Sequence, residues 1–114
     1  MMKNIVTISK ILKAISDFNR LRVCIILKER SMCLCEISSI LDNIVLSTLS
    51  NHLKILSEAG IVVQKKYGRY IIFSLSEDEF INKLLDMIRI YLSDDERVLK
   101  DIEKVKSMRP VLDI

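Results

Sequence analysis

A mainly helical fold carrying one small antiparallel hairpin is predicted by three features of this sequence. Apolar residues recur at helical spacing in six separate segments. The period changes only once, after Gly60, where two β-rich runs flank a basic turn. Cap-like residues sit at several of the breaks between segments. At 114 residues the chain is expected to form one domain, 1–114, because two halves would each be too small to bury a core.

The first helix is expected from about Asn4 to Ser16, carried by Ile5, Ile8, Ile11, Leu12 and Ile15. Ser16-Asp17 then offers an N-cap for a second helix through Leu21, Cys24, Ile25 and Leu27. A third helix, about Cys33 to Leu41, is followed by the turn signal Asp42-Asn43. The fourth runs from about Leu46 to Ala59, with Leu49, Leu53 and Leu56 inward and Gly60 ending it. Ile61-Val62-Val63 and Tyr70-Ile71-Ile72-Phe73 form the two strands, with Gly68 in their turn. Two further helices are read behind the capping boxes Ser76…Glu79 and Ser93…Glu96, and Pro110 closes the last. The predicted order is α-α-α-α-β-β-α-α.

Charge is distributed unevenly. Residues 1–43 hold seven bases against four acids, residues 44–75 four against one, and residues 76–114 seven against ten. A basic middle beside an acidic tail points to a polyanion at the middle. The longest uncharged apolar run, Val23 to Leu27, is too short to span a bilayer, and Met1 to Lys10 lacks a secretory apolar core. The expectation is a cytoplasmic protein with no membrane partner and with reduced thiols.

Two short helices with a tight turn, the second polar on one side, followed by a basic hairpin, make the winged helix-turn-helix arrangement. Ser47, Thr48, Ser50, Asn51, His52 and Lys54 would face DNA from the fourth helix. Lys65, Lys66 and Arg69 would straddle neighbouring phosphates from the wing.

From about Leu12 to Leu75 the chain resembles the ArsR/SmtB family of metalloregulatory repressors, in its arsenic- and antimony-responsive branch. The resemblance rests on Ile15-Ser16-Asp17-Phe18-Asn19-Arg20-Leu21-Arg22 and on Cys33-Leu34-Cys35-Glu36-Ile37. It rests also on Leu46 to Leu56, similar to the family's recognition helix, and on Gly60-Ile61-Val62 leading to Lys66-Tyr67-Gly68-Arg69-Tyr70. Two departures fall on the recognition helix. Val45 stands where the family usually has a polar N-cap, and Leu46 where glutamine is common. For His52, the only histidine, the resemblance implies packing of the DNA helix or a phosphate contact.

Cys33 and Cys35 lie at the mouth of the third helix. Side chains two apart on a helix point to nearly opposite sides, so chelation by both sulfurs is expected to need a first turn that is extended or unwound. The helix N-terminus is expected to favour thiolate. The resemblance implies that this pair is the site for trivalent arsenic or antimony as inducer, with cadmium or lead as alternatives. It also implies a third cysteine where this chain has Ser38. Cys24, the remaining thiol, reads first as a small core residue and second as a candidate third ligand. A methylated trivalent arsenical would need only Cys33 and Cys35. The family's other metal site needs histidine on the helix over 77–92, which has none.

No cofactor is expected to be required for DNA binding. The first and the C-terminal helices, about 4–16 and 77–109, have apolar surface to spare. Ile5, Ile8, Leu12, Phe80, Leu84, Ile88 and Tyr91 are expected to pair two copies, presenting two recognition helices to a palindromic double-stranded operator. The competing functions are a thiol-redox switch on the same DNA-binding frame and a winged-helix module for protein contacts. A redox enzyme is disfavoured, since C-x-x-C is absent and a disulfide spaced by one residue is strained.

Overall fold

Helix α1 (Ile5–Ile15) begins where the Asn4 side chain accepts a hydrogen bond from the Thr7 N–H at 2.8 Å. Asp17 caps α2 (Phe18–Glu29) by accepting from the N–H groups of Asn19 and Arg20. A computed structural model describes residues 2–112; residues 1, 113 and 114, the ends of the predicted domain, lie outside the described residues. Every residue of α2 from Arg22 to Leu27 is buried, which makes the uncharged run the axis of the molecule. Strand β1 (Met32–Cys33) leads directly into α3 (Leu34–Ile40), and α4 (Leu46–Glu58) follows a short turn. The wing is β2 (Val62–Tyr67) and β3 (Tyr70–Leu75); α5 (Glu79–Tyr91) and α6 (Glu96–Ser107) complete the chain.

The winged helix-turn-helix order read from the sequence is present, with one addition. The sheet has three antiparallel strands in the order β1-β3-β2, because Met32 and Cys33 pair with Phe73 and Ile72. Cys33 therefore belongs to a strand, and the third helix starts one residue later than expected. Its backbone is extended, at φ −85° and ψ 169°. The capping boxes expected at Ser76 and Ser93 are also corrected. Asp78 caps α5 by accepting from the Ile81 N–H, and Asp95 caps α6 by accepting from the Val98 N–H. A carboxylate at a helix start gains from the dipole as well as the hydrogen bond, so aspartate displaces the nearby serine.

One core joins the helices, including Val105 of α6, and the sheet through residues such as Ile11, Val23, Ile26, Ile37, Leu53 and Ile61. A smaller one, Ile25, Val98 and Ile102, seats α6 on α2. That seam also holds a bidentate ion pair. Arg22 Nε and a terminal guanidinium nitrogen donate to the two Asp101 oxygens at 2.9 and 3.0 Å. Between α3 and α4 the chain turns without glycine: Asp42 and Asn43 both take left-handed φ, 58° and 59°. Ser38 and Asp42 hold that turn. The Ser38 hydroxyl donates to the Ile44 carbonyl at 2.9 Å, and Asp42 receives Lys104, Arg22 and Arg97.

Candidate functional site

The thiol pair sits where the wing meets the helix-turn-helix. Cys33 ends β1, hydrogen-bonded across to β3, and is at the same time the N-cap of α3. Because its backbone is extended, its side chain turns back over the first turn, and the Cys33 and Cys35 sulfurs lie 3.0 Å apart. Of the two expected routes, an extended or an unwound first turn, the extended one is present, with Cys33 at φ −85° and ψ 169°. The strand-to-helix corner supplies it.

Glu36 completes this corner. Its Oε1 accepts from the Cys33 N–H at 2.9 Å, while Cys33 Sγ accepts from the Glu36 N–H, a reciprocal capping box. Oε2 accepts from Arg30 and from the Val111 N–H, each at 3.1 Å. Burial alone would raise the Glu36 carboxyl. The two backbone N–H groups and the Arg30 guanidinium outweigh it and hold Glu36 below the ordinary glutamate range.

The thiols behave differently from the expectation. Burial, reinforced by the hydrogen bond with Cys35, pushes the Cys33 thiol up to about 12. The expected thiolate-favouring effect of the helix N-terminus loses here, because desolvation and the adjacent Glu36 carboxylate both oppose a second negative charge. Cys35 is exposed, so the pair has one open side. Cys24 lies in the core of α2, and burial pushes its thiol up to about 12 as well. Among the described residues, no three side chains of His, Cys, Asp or Glu gather closely enough to hold a metal ion. Ser38, at the place of the family's third cysteine, is buried with its hydroxyl committed to Ile44.

On α4, Leu49, Leu53 and Leu56 are buried, and Ser47, Thr48, Ser50, Asn51 and Lys54 are exposed along the other side. Lys65, Lys66 and Arg69 are exposed on the wing. Gly68 takes φ 59° in the two-residue turn between the strands. His52 is half-buried. Its Nδ1 lies 3.2 Å from an Arg20 terminal nitrogen, and since a guanidinium has no acceptor, the histidine nitrogen accepts. Arg20 also donates to the Ala14 carbonyl, so the pair ties α4 to the α1–α2 junction.

Residues 17–63 match the bacterial regulatory protein arsR family. The cadmium resistance transcriptional regulatory protein CadC homolog of Staphylococcus aureus is 31% identical over 85 residues, spanning 74% of this chain and 69% of that protein. The chain belongs to the ArsR family. HlyU of Vibrio cholerae superimposes with a TM-score of 0.75 at 26% identity, covering 82% of this chain and 100% of that one. The transcriptional repressor BigR of Xylella fastidiosa gives 0.68 at 26% identity, covering 78% and 86%. This ArsR-family chain is thus a winged-helix DNA-binding transcriptional regulator, and its family and fold are not those of an enzyme.

Two surface features bear on assembly. Of the residues expected to pair copies, Ile5 is 84% exposed, Tyr91 is 82% exposed and Leu12 is exposed; Ile8, Phe80, Leu84 and Ile88 are half-buried. Val6, Met87 and Ile90 add exposed apolar area on α1 and α5. Helix α6 differs: Val98 and Ile102 pack on α2 of its own chain and Val105 joins the main core. Among the described residues, no helix is long and apolar enough to cross a membrane.

Sequence reasoning did not assign Glu36, Arg20 or Val111 a part. Glu36 lay inside the quoted cysteine motif, and its spacing of three from Cys33 is itself a capping-box signal. Nothing local pointed to Val111, which reaches Glu36 from 75 residues away.

Proposed function

We propose that this regulator is a homodimeric repressor that leaves its operator when a thiophilic metalloid, trivalent arsenic or antimony, binds Cys33 and Cys35. The observation that carries this reading is the 3.0 Å separation of two sulfurs on a corner shared by the wing and α3. A soft trivalent centre is suited to thiolate ligands. A monosubstituted arsenical, with one position already filled by carbon, needs two, which is the number this corner offers. Inorganic arsenite keeps one hydroxide or takes a third sulfur from a partner subunit or a small thiol.

Binding requires both thiol protons to leave and Cys33 Sγ to give up the hydrogen bond from the Glu36 N–H. The strand end and the first turn of α3 are then held by one centre in place of the capping box. Such a change shifts α3 against the wing, and α4 with them, so that the Ser47, Thr48, Ser50, Asn51, His52 and Lys54 surface and the Lys65, Lys66 and Arg69 wing no longer fit the same DNA. Two copies paired through α1 and α5 would set two such surfaces on a palindrome about one helical turn apart. The apolar residues exposed on those helices support this pairing.

A second reading, release by cadmium or lead, is favoured by the name of the S. aureus relative. It asks for more donors than one corner offers, since a soft divalent ion in a tetrahedral site takes four. One titration tests both. Reduced, metal-free protein on its promoter duplex is treated with arsenite, a methylated trivalent arsenical, cadmium and lead. Release by the arsenicals is expected, and its loss is expected in Cys33→Ser and Cys35→Ser, which keep DNA binding. Full release of the Cys33→Ser/Cys35→Ser double variant by any of these would remove the sensor from this corner. Release reversed by reductant alone, with no metal added, would favour the thiol-redox switch.

A further inference from the structure

The start of α4 carries two apolar side chains with no intramolecular use. Val45 is 66% exposed and Leu46 50% exposed, and neither joins a core cluster, whereas Ile44 immediately before them packs inward. Val45 is the N-cap, yet it offers no side-chain hydrogen bond to the helix. A serine or aspartate there would stabilise the helix by accepting from its free N–H groups. The position therefore gives up a cap and exposes hydrocarbon at once.

Both residues are continuous with the exposed Ser47, Thr48, Ser50 and Asn51 of the same helix, and the basic wing residues Lys65, Lys66 and Arg69 flank the same DNA-binding unit. In this fold the recognition helix enters the major groove by its N-terminal residues. Valine and leucine can make no hydrogen bond with a base edge. The one apolar group that the major groove displays is the thymine C5-methyl, and apolar side chains read it by contact.

We infer that Val45 and Leu46 read thymine methyl groups, so that operator choice depends on thymine at the bases facing the start of α4. This rests on α4 being the helix in the groove. Glutamine at the Leu46 position would instead pair with adenine through its amide. The two departures from the family's usual recognition helix thus become the residues that set this protein's own operator.

The test changes one methyl at a time. Reduced full-length protein selects duplexes from a random library, and each thymine of the enriched half-site is then replaced by uracil, which lacks only the methyl. At one or two thymines per half-site, uracil is expected to weaken wild-type binding about fourfold each, equivalent to about 0.8 kcal/mol for one buried carbon. The double variant Val45→Ser/Leu46→Gln, changed at exposed positions only, should fold normally by circular dichroism and bind thymine and uracil duplexes alike. Wild-type indifference to uracil at every position would overturn the inference, as would a double variant that still discriminates. Asn51→Ala separates this failure from that of the underlying reading. If it weakens operator binding while uracil has no effect, α4 is in the groove and methyls are not read. If neither Asn51→Ala nor the double variant matters, α4 is not in the groove and both fall together.

Discussion

Among the described residues two carboxylates are buried, each beside an arginine, and they are held in opposite ways. Asp101, 3% exposed, is gripped on both oxygens by the single guanidinium of Arg22. Glu36, 5% exposed, collects its donors from three segments: Cys33 at the end of β1, Arg30 just beyond α2, and Val111 after α6. The first arrangement has one way to be satisfied. The second can lose one donor and keep the others. The difference is between a rivet and a clasp.

The largest expected effect breaks the rivet. Arg22→Ala strands a buried carboxylate and should cost about 3–5 kcal/mol in denaturant unfolding, a large share of what a domain of this size has. Replacing both partners, Arg22→Met with Asp101→Leu, should recover most of that loss and leave metalloid response intact. A double variant that folds but no longer responds would show that the α2–α6 seam takes part in the switch after all.

Glu36→Gln should be milder, about 1–3 kcal/mol, since one amide oxygen still accepts while the amide nitrogen faces donors. It should also change the acid limb. Glu36 is held below the ordinary glutamate range, so its stabilisation is present above that range and drains as pH falls through the folded-state value. The variant's stability should therefore fall less steeply in acid than the wild type's. Equal slopes would mean that Glu36 is not the group titrating there.

The smallest effect is a slope, and it separates the candidate inducers. Burial raises the Cys33 thiol further above neutral pH, so its proton is held more firmly. A divalent cation must expel that proton to solvent, so cadmium or lead affinity should rise at least tenfold per pH unit. Arsenite carries hydroxides, and each thiol proton departs with one of them as water, leaving no net proton release. Arsenite affinity should be nearly flat across the neutral range. A steep arsenite slope would show that a proton is lost elsewhere on binding.

What could be read from the residues alone follows the range of the signal. Leu49, Leu53 and Leu56 announce α4, and Gly68 announces the hairpin turn, because helical period and turn chemistry are local. Cys33 falls in a strand and caps the third helix, which the letters do not show, since a two-residue strand leaves no periodicity to detect. Helix α6 was readable as a helix. Whether its apolar stripe met a partner copy or its own chain depended on tertiary contacts that no spacing encodes. The same holds for the site. The Cys33-x-Cys35 motif is visible in the letters, but how firmly Cys33 holds its proton depends on burial and on a carboxylate whose own ligands come from both ends of the fold.

The hydrogen bond from Val111 to Glu36 has a consequence for how the protein is made and handled. During synthesis the cysteine corner leaves the ribosome roughly 75 residues ahead of the peptide group that completes it. Until then Glu36 lacks one of its three donors. An affinity tag fused shortly after residue 111 would pull on the same bond, so sensitivity measured with such a tag should be compared with that of an N-terminally tagged copy.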